Sequence, residues 1–167
     1  MHRSRKLLGF TMVELIIVIA IIAILAAVIF VAVDPARRLH EARNARRSSD
    51  VQTILDAVVK YQVDNDGAHY STVATATAGS YYVIGTAGSG CDTTCGAQTT
   101  QAACLNLSAL PANYLSAVPT DPNGGTAANT DYYISRSATN NITVGACDPE
   151  GEDAGGTGTA PTIEVSR

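Results

Sequence analysis

The chain lacks tryptophan, and its distal part is poor in basic residues. None of the 167 residues is Trp, and after Ser48 the only basic residues are Lys60, Arg136 and Arg167. Twelve acidic residues in the same part give it a net charge of −9. Because nucleic acid is a polyanion, this charge argues against non-specific binding there, and we predict no specific nucleic-acid partner.

Motifs of catalysis are missing as well. The sequence contains no His-x-x-Glu-His, Gly-x-Ser-x-Gly or phosphate-loop pattern. Its three histidines, His2, His40 and His69, are widely separated along the chain. We therefore expect that the protein is not an enzyme and has no cofactor, apart from the calcium site considered below.

Polar side chains are absent from one long run, residues 15–33. These nineteen residues would span about 28 Å as a helix, roughly the hydrocarbon core of a bilayer. Glu14 stands at the start of the run, and Arg3, Arg5 and Lys6 precede it. A carboxylate at membrane depth is costly and rarely kept without a partner, so Glu14 needs a functional explanation.

Three explanations fit an N-terminal apolar run. A cleaved secretory signal peptide usually has an apolar region of only about 7–15 residues, and residues 31–35 make a poor cleavage site. A plain signal anchor, with its basic end in the cytoplasm, accounts for the run but not for Gly9 or Glu14. The third explanation rests on residues 6–15, KLLGFTMVEL. It accounts for the apolar run, for Gly9 and for Glu14.

This stretch closely resembles the prepilin leader of type IV pilins and type II secretion pseudopilins. The resemblance implies that a membrane-embedded prepilin peptidase cuts between Gly9 and Phe10, and that Phe10 is then N-methylated. It also makes Glu14 the fifth residue of the mature chain. There its carboxylate would pair with the N-terminal amine of a neighbouring subunit during assembly, which lowers the cost of an unpaired charge in lipid.

The function implied by the resemblance is that of a structural subunit of a type IV pilus-like filament. A single-pass precursor, with its helix in lipid and its head outside the cytoplasm, would join identical or related pilin subunits on an inner-membrane assembly platform. The product would be an extracellular or periplasmic filament. Two alternatives stay open: a pseudopilin of a type II secretion system, and a monomeric, membrane-anchored binding domain.

We expect four segments along the chain. They are a leader over 1–9, a membrane-spanning or filament-core half of a long helix over 10–33, an amphipathic second half over 34–66, and a globular head over 67–167. Asp34 and Pro35 mark a kink or a fresh helix start between the two halves. Arginines over residues 37–47 predict a solvated or lipid-headgroup-contacting face, or ion pairs between subunits.

The head is predicted to contain a small sheet packed on the second half of the helix. An apolar stripe faces the sheet, formed by Val51, Ile54, Leu55, Val58 and Tyr61. Strands are predicted over 81–84, 132–134, 142–144 and 162–165, with a tight turn at 140–141. A short helix is expected within 103–115, and residues 148–161 are expected to be acidic and mobile. The fold class is therefore α+β and pilin-like, a long N-terminal helix packed on an antiparallel sheet of three to four strands.

Four cysteines follow the apolar run: Cys91, Cys95, Cys104 and Cys147. An even number in a small translocated head favours disulfides. The spacing and the lack of a nearby histidine make zinc the weaker interpretation. Three pairings are open, and the sequence does not choose among them.

A calcium site is the remaining candidate. Residues 118–134, with Pro-x-Asp-Pro ahead of a Tyr-bearing strand, resemble the region of major pseudopilins near which calcium is held. The resemblance makes Asp121, Asn123, Asn129 and Asp131 candidate oxygen ligands. The competing interpretation is a plain Asp-Pro turn followed by a polar loop, since the spacing does not match an EF-hand.

Overall fold

The computed structural model describes residues 9–167, so residues 1–8 of the expected leader lie outside the described part. The helices are α1 (Met12–Val33), α2 (Pro35–Asp64) and α3 (Ser71–Thr75). The strands are β1 (Tyr81–Val83), β2 (Tyr132–Arg136), β3 (Ile142–Ala146) and β4 (Glu164–Ser166).

The four strands form one antiparallel sheet in the order β1-β2-β3-β4, so each strand lies beside its sequence neighbour. In the central hairpin Ile134 lies opposite Val144, and Val165 of β4 flanks Val144 on the other side. Asn140 in the connecting turn has a φ of 66°, a left-handed conformation that Asn tolerates better than most residues. A long bent helix followed by this sheet confirms the predicted α+β, pilin-like layout.

The second half of α2 covers the sheet with the predicted apolar stripe. Val51, Ile54, Leu55 and Val58 are each at most 1% exposed and belong to one core cluster with residues of β2 and β3. Full burial of each such side chain contributes about 1.5–3 kcal/mol, which is enough in sum to hold the helix on the sheet. Tyr61, predicted with them, is only partly buried and packs against a separate cluster of Ala57, Leu110 and Leu115.

Helix α1 contributes nothing to that core. None of its residues is buried, and the helical stretch Met12–Asp64 contains a window long and apolar enough to cross a membrane. A helix that is apolar on all sides is stable only inside lipid or among other apolar helices. Helix α1 therefore needs an apolar environment, whereas the head has a buried core of its own.

Two expectations for the head differ from the structure. Residues 103–115 form turns rather than a short helix, because the backbone of Leu105 bonds to β1 residue Val83 and to Gly85 instead of to its own neighbours. Pro111 also lacks the N–H that a continuing helix would use. The acidic segment expected to be mobile is instead held against α2 by specific hydrogen bonds.

Candidate assembly site on the N-terminal helix

Helix α1 begins with a capping box that holds Glu14. The Thr11 side chain accepts a hydrogen bond from the Glu14 backbone N–H at 3.2 Å. In return Glu14 Oε2 accepts from the Thr11 backbone N–H at 3.2 Å and from the Thr11 hydroxyl at 3.1 Å. The Thr-x-x-Glu spacing is a recognised signature of such a cap, so the role of Thr11 was readable from the sequence but was not predicted.

The sequence-predicted processing residues lie just before this cap. Gly9 and Phe10 are exposed and precede the helix, and a Cβ added to Gly9 would meet no atom of the described residues within 4 Å. Phe10 directly precedes the N-cap residue Thr11, and Glu14 lies in the first turn of α1, so the two are at the same end of the helix. The structure thus places the predicted cut, methylation and assembly residues together at an accessible, apolar helix end.

The helix bends at Asp34. Its φ of 46° and ψ of 74° are left-handed, and it ends α1 and caps α2 at once. The following residue, Pro35, disfavours the helical conformation at the position before it, and Asp accepts a left-handed one comparatively well. Asp34 Oδ1 accepts from the Arg37 N–H at 3.4 Å, while Oδ2 accepts from the Gly155 N–H at 2.6 Å. The Gly155 N–H is also the main cause of the lowered pKa of Asp34.

The arginines that follow the bend have partners within the chain itself. Arg37 and Arg38 bind Glu41 at 2.7 and 2.9 Å, and Arg46 lies 3.6 Å from Asp50. Each contact joins residues about one helix turn apart, and in each pair the arginine is exposed while the carboxylate is partly buried. Neither the lipid-headgroup contact nor the ion pair between subunits is needed to explain them.

Arg47 is the buried centre of a charge cluster between α2 and the head. Its side chain is 0% exposed, and Nε and Nη2 donate to the two carboxylate oxygens of Asp121 at 2.5 and 2.9 Å. Nη1 donates to Glu150 and Asn44, each at 2.8 Å. Burial opposes the charged form of Arg47, but the bonds to Asp121 and Glu150 prevail and raise its pKa.

Glu150 extends this cluster into the acidic loop, which we define as residues 148–158. Arg43 clamps its carboxylate through Nε at 2.6 Å and Nη2 at 2.5 Å. Burial alone would raise the pKa of Glu150, yet the hydrogen bonds from Arg43 and Arg47 hold it below its ordinary value. Asn44 bonds the Glu150 backbone on both sides, accepting from its N–H at 3.0 Å and donating to its carbonyl at 2.7 Å. Nothing in the local sequence predicts this pairing, because the partners are about a hundred residues apart.

The calcium candidates are partly engaged in other bonds. Both carboxylate oxygens of Asp121 accept from Arg47, and Oδ1 also accepts from the Asn123 N–H at 2.7 Å. Asn129 Oδ1 accepts from the Asp131 N–H at 3.0 Å. Burial, together with the nearby carboxylates of Asp121 and Asp148, raises the pKa of Asp131. Among residues 9–167 no group of three or more His, Cys, Asp or Glu side chains is arranged to hold a metal ion. Calcium binding by this region stays a prediction.

Two disulfides brace the head. They join Cys91 to Cys104 and Cys95 to Cys147, which selects one of the three pairings left open by the sequence. The second bond ties the end of β3 to the loop after β1, immediately before the acidic loop. It thereby fixes where that loop begins.

Sequence comparison identifies the N-terminal region. Residues 5–30 match the family model of the prokaryotic N-terminal methylation motif. No curated protein and no solved structure matches the chain. The matched residues contain the predicted cut, the cap at Glu14 and most of the exposed apolar helix. The chain therefore carries the prepilin-type signature of type IV pilins and pseudopilins.

Proposed function

We propose that the protein is a structural subunit of a type IV pilus-like filament, cut between Gly9 and Phe10, N-methylated at Phe10 and assembled through α1. The observation that carries the proposal is a methylation motif over 5–30 leading into a helix with no buried residue. Such a surface suits lipid before assembly and neighbouring helices afterwards. The head, braced by disulfides, would lie outside the cytoplasm.

Glu14 would act as the registration group of assembly. In the single chain its carboxylate is occupied by the capping box with Thr11. Cleavage creates a positive amine on Phe10, and the amine of a neighbouring subunit can pair with Glu14 in an apolar surrounding. A charge pair of this kind is directional, so it would favour one axial offset between helices.

Mass spectrometry of the chain purified from its native membrane tests the processing. We expect an N-terminus at methylated Phe10, and a Gly9→Val variant that stays uncut. Because a Cβ at Gly9 meets no atom of residues 10–167 within 4 Å, loss of cutting would reflect peptidase recognition rather than misfolding of the described part. A mature chain beginning at Met1, or after Val33, would refute the proposal.

Recovery of sheared filaments tests the assembly. We expect Glu14→Gln, which is nearly isosteric but uncharged, to abolish filaments while the subunit stays in the membrane. Glu41→Gln is the matched control, since Glu41 pairs with Arg37 and Arg38 within α2. Normal filaments from Glu14→Gln would contradict the registration role. Electron microscopy of cells would distinguish an extracellular pilus from the alternative, a short secretion pseudopilus.

A further inference from the structure

The acidic loop crosses the surface of α2 and reaches the bend. It starts beside Cys147, which is bonded to Cys95 and whose N–H donates to the Asp131 carbonyl at 3.0 Å. It then contacts Arg43 and Arg47 through Glu150. These contacts lie two to four turns of α2 beyond the bend. The loop is therefore anchored at its beginning and along its first half.

The second half of the loop closes on itself. Asp153 donates its N–H to the Thr157 carbonyl at 3.0 Å, and Gly156 donates to the Asp153 carbonyl at 2.9 Å. A Cβ at Gly151 would overlap the carbonyl oxygens of residues 157 and 158, so the closed shape requires glycine there. The second half of the loop therefore holds its closed shape through its own backbone hydrogen bonds.

The tip of the loop meets the bend itself. The Gly155 N–H donates to Asp34 Oδ2 at 2.6 Å, and the Gly151 carbonyl lies 2.9 Å from His40 Nδ1. Gly156 has a φ of 71°, and a Cβ there would come within 2.7 Å of the His40 ring. The loop thus touches α2 at its first turn as well as at Arg43 and Arg47.

We propose that the acidic loop is a strap that locks the bend at Asp34 and joins the first turns of α2 rigidly to the head. Asp34 caps α2 with one carboxylate oxygen and receives the strap with the other. Release of the strap would leave Asp34 with its hydrogen bonds to the first turn of α2, from the Arg37 N–H at 3.4 Å and the Arg38 N–H at 3.2 Å, and with no bond to the head. The angle between α1 and α2 would then vary. This device concerns the single chain and does not depend on the proposed filament function.

Two variants release the strap by different physical means. Glu150→Gln keeps the shape but removes the charge held by Arg43 and Arg47. Gly156→Ala keeps the charge but introduces a side chain at a left-handed position against His40. Asp92→Asn is the matched control, because it removes one exposed carboxylate of the head outside the strap.

The first measurement is hydrogen exchange of the full chain in detergent micelles. In both strap variants we expect the backbone N–H groups of 153–156 to exchange about tenfold faster or more. Glu150→Gln weakens the charged hydrogen bonds to Arg43 and Arg47, and Gly156→Ala disturbs the contact with His40. Exchange in β2 and β3 should stay as in the unaltered chain, which shows that the head is folded. Unchanged exchange at 153–156 in both variants would overturn the proposal.

The second measurement is the distribution of distances between two spin labels, one on each side of the bend. All four cysteines are paired, so cysteines introduced at the exposed positions Ala27 and Ala45 would be the only thiols to carry spin labels. The two positions would be about 27 Å apart along a straight helix. We expect one narrow distance distribution in the unaltered chain and in Asp92→Asn, and a distribution at least twice as wide in both strap variants. Faster exchange of the loop with an unchanged distance distribution would overturn the locking role.

Discussion

Arg47→Met tests whether the buried charge cluster stabilises the head. Arg47 is 0% exposed and the Asp121 side chain is 2% exposed, so removal of the guanidinium leaves a carboxylate buried with the Asn123 N–H as its remaining donor. Loss of one partner of a buried ion pair costs about 3–5 kcal/mol. A domain of this size has a total unfolding free energy of about 5–15 kcal/mol. The substitution should therefore remove about a fifth of the unfolding free energy or more.

Urea unfolding in detergent micelles, followed by near-ultraviolet circular dichroism, measures the loss. All seven tyrosines lie between residues 61 and 133, so the signal reports the head and α2 rather than α1. Arg46→Met is the matched control. Arg46 is 61% exposed and 3.6 Å from Asp50, and such surface pairs contribute about 1 kcal/mol or less.

A double substitution separates the cost of an unpaired buried carboxylate from the other effects of losing the Arg47 side chain. Replacing both Arg47 and Asp121 by apolar residues removes the unpaired carboxylate, and apolar replacements of whole buried pairs are often near neutral. Arg47→Met with Asp121→Leu should thus be more stable than Arg47→Met alone. If Arg47→Met lowered the unfolding free energy by less than about 1 kcal/mol, as the control does, the buried cluster would not stabilise the head.

Two further predictions concern the acidic loop and the disulfides. Because the pKa of Glu150 is lower in the folded protein than its ordinary value of 4.5, its stabilising effect is complete above about pH 5 and declines as the pH falls through the folded pKa. Hydrogen exchange of the loop, corrected for intrinsic rates, should show this decline, and an acid-insensitive loop would contradict it. Replacing the Cys95–Cys147 pair, which spans 52 residues, should cost about 4 kcal/mol, against about 3 kcal/mol for Cys91–Cys104, which spans 13, by loop-closure entropy. Urea unfolding of the two double-serine variants would show whether the order is reversed.

The elements of the fold were predictable wherever the signal is local. The apolar stripe of α2 repeats with helical spacing, so Val51, Ile54, Leu55 and Val58 were identified as the face that packs on the sheet. Short β-branched runs located all four strands to within a few residues. The failed prediction, by contrast, was caused by a contact far along the sequence. Leu105 lies in a leucine-bearing stretch but bonds to β1, and a distant strand overrode its helical tendency.

The candidate site also contains residues that were predictable from the sequence and residues that were not. Gly9, Phe10 and Glu14 lie within six consecutive residues, and their types and order were enough to predict processing and assembly. The partners of Arg47 were not predictable, because Asp121 and Glu150 come from separate loops far along the chain.

The sequence by itself determined the apolar run, its carboxylate, the helical stripe and the approximate strands, since each depends on neighbours within a few residues. Tertiary structure alone decided three things: the disulfide pairing, the burial of Arg47, and the path of the acidic loop back to Asp34. Composition made residues 148–161 look like a mobile acidic tail. The sequence does not show which cation an acidic residue will pair with. Only the packed fold brings Arg43 and Arg47 within hydrogen-bond distance of Glu150.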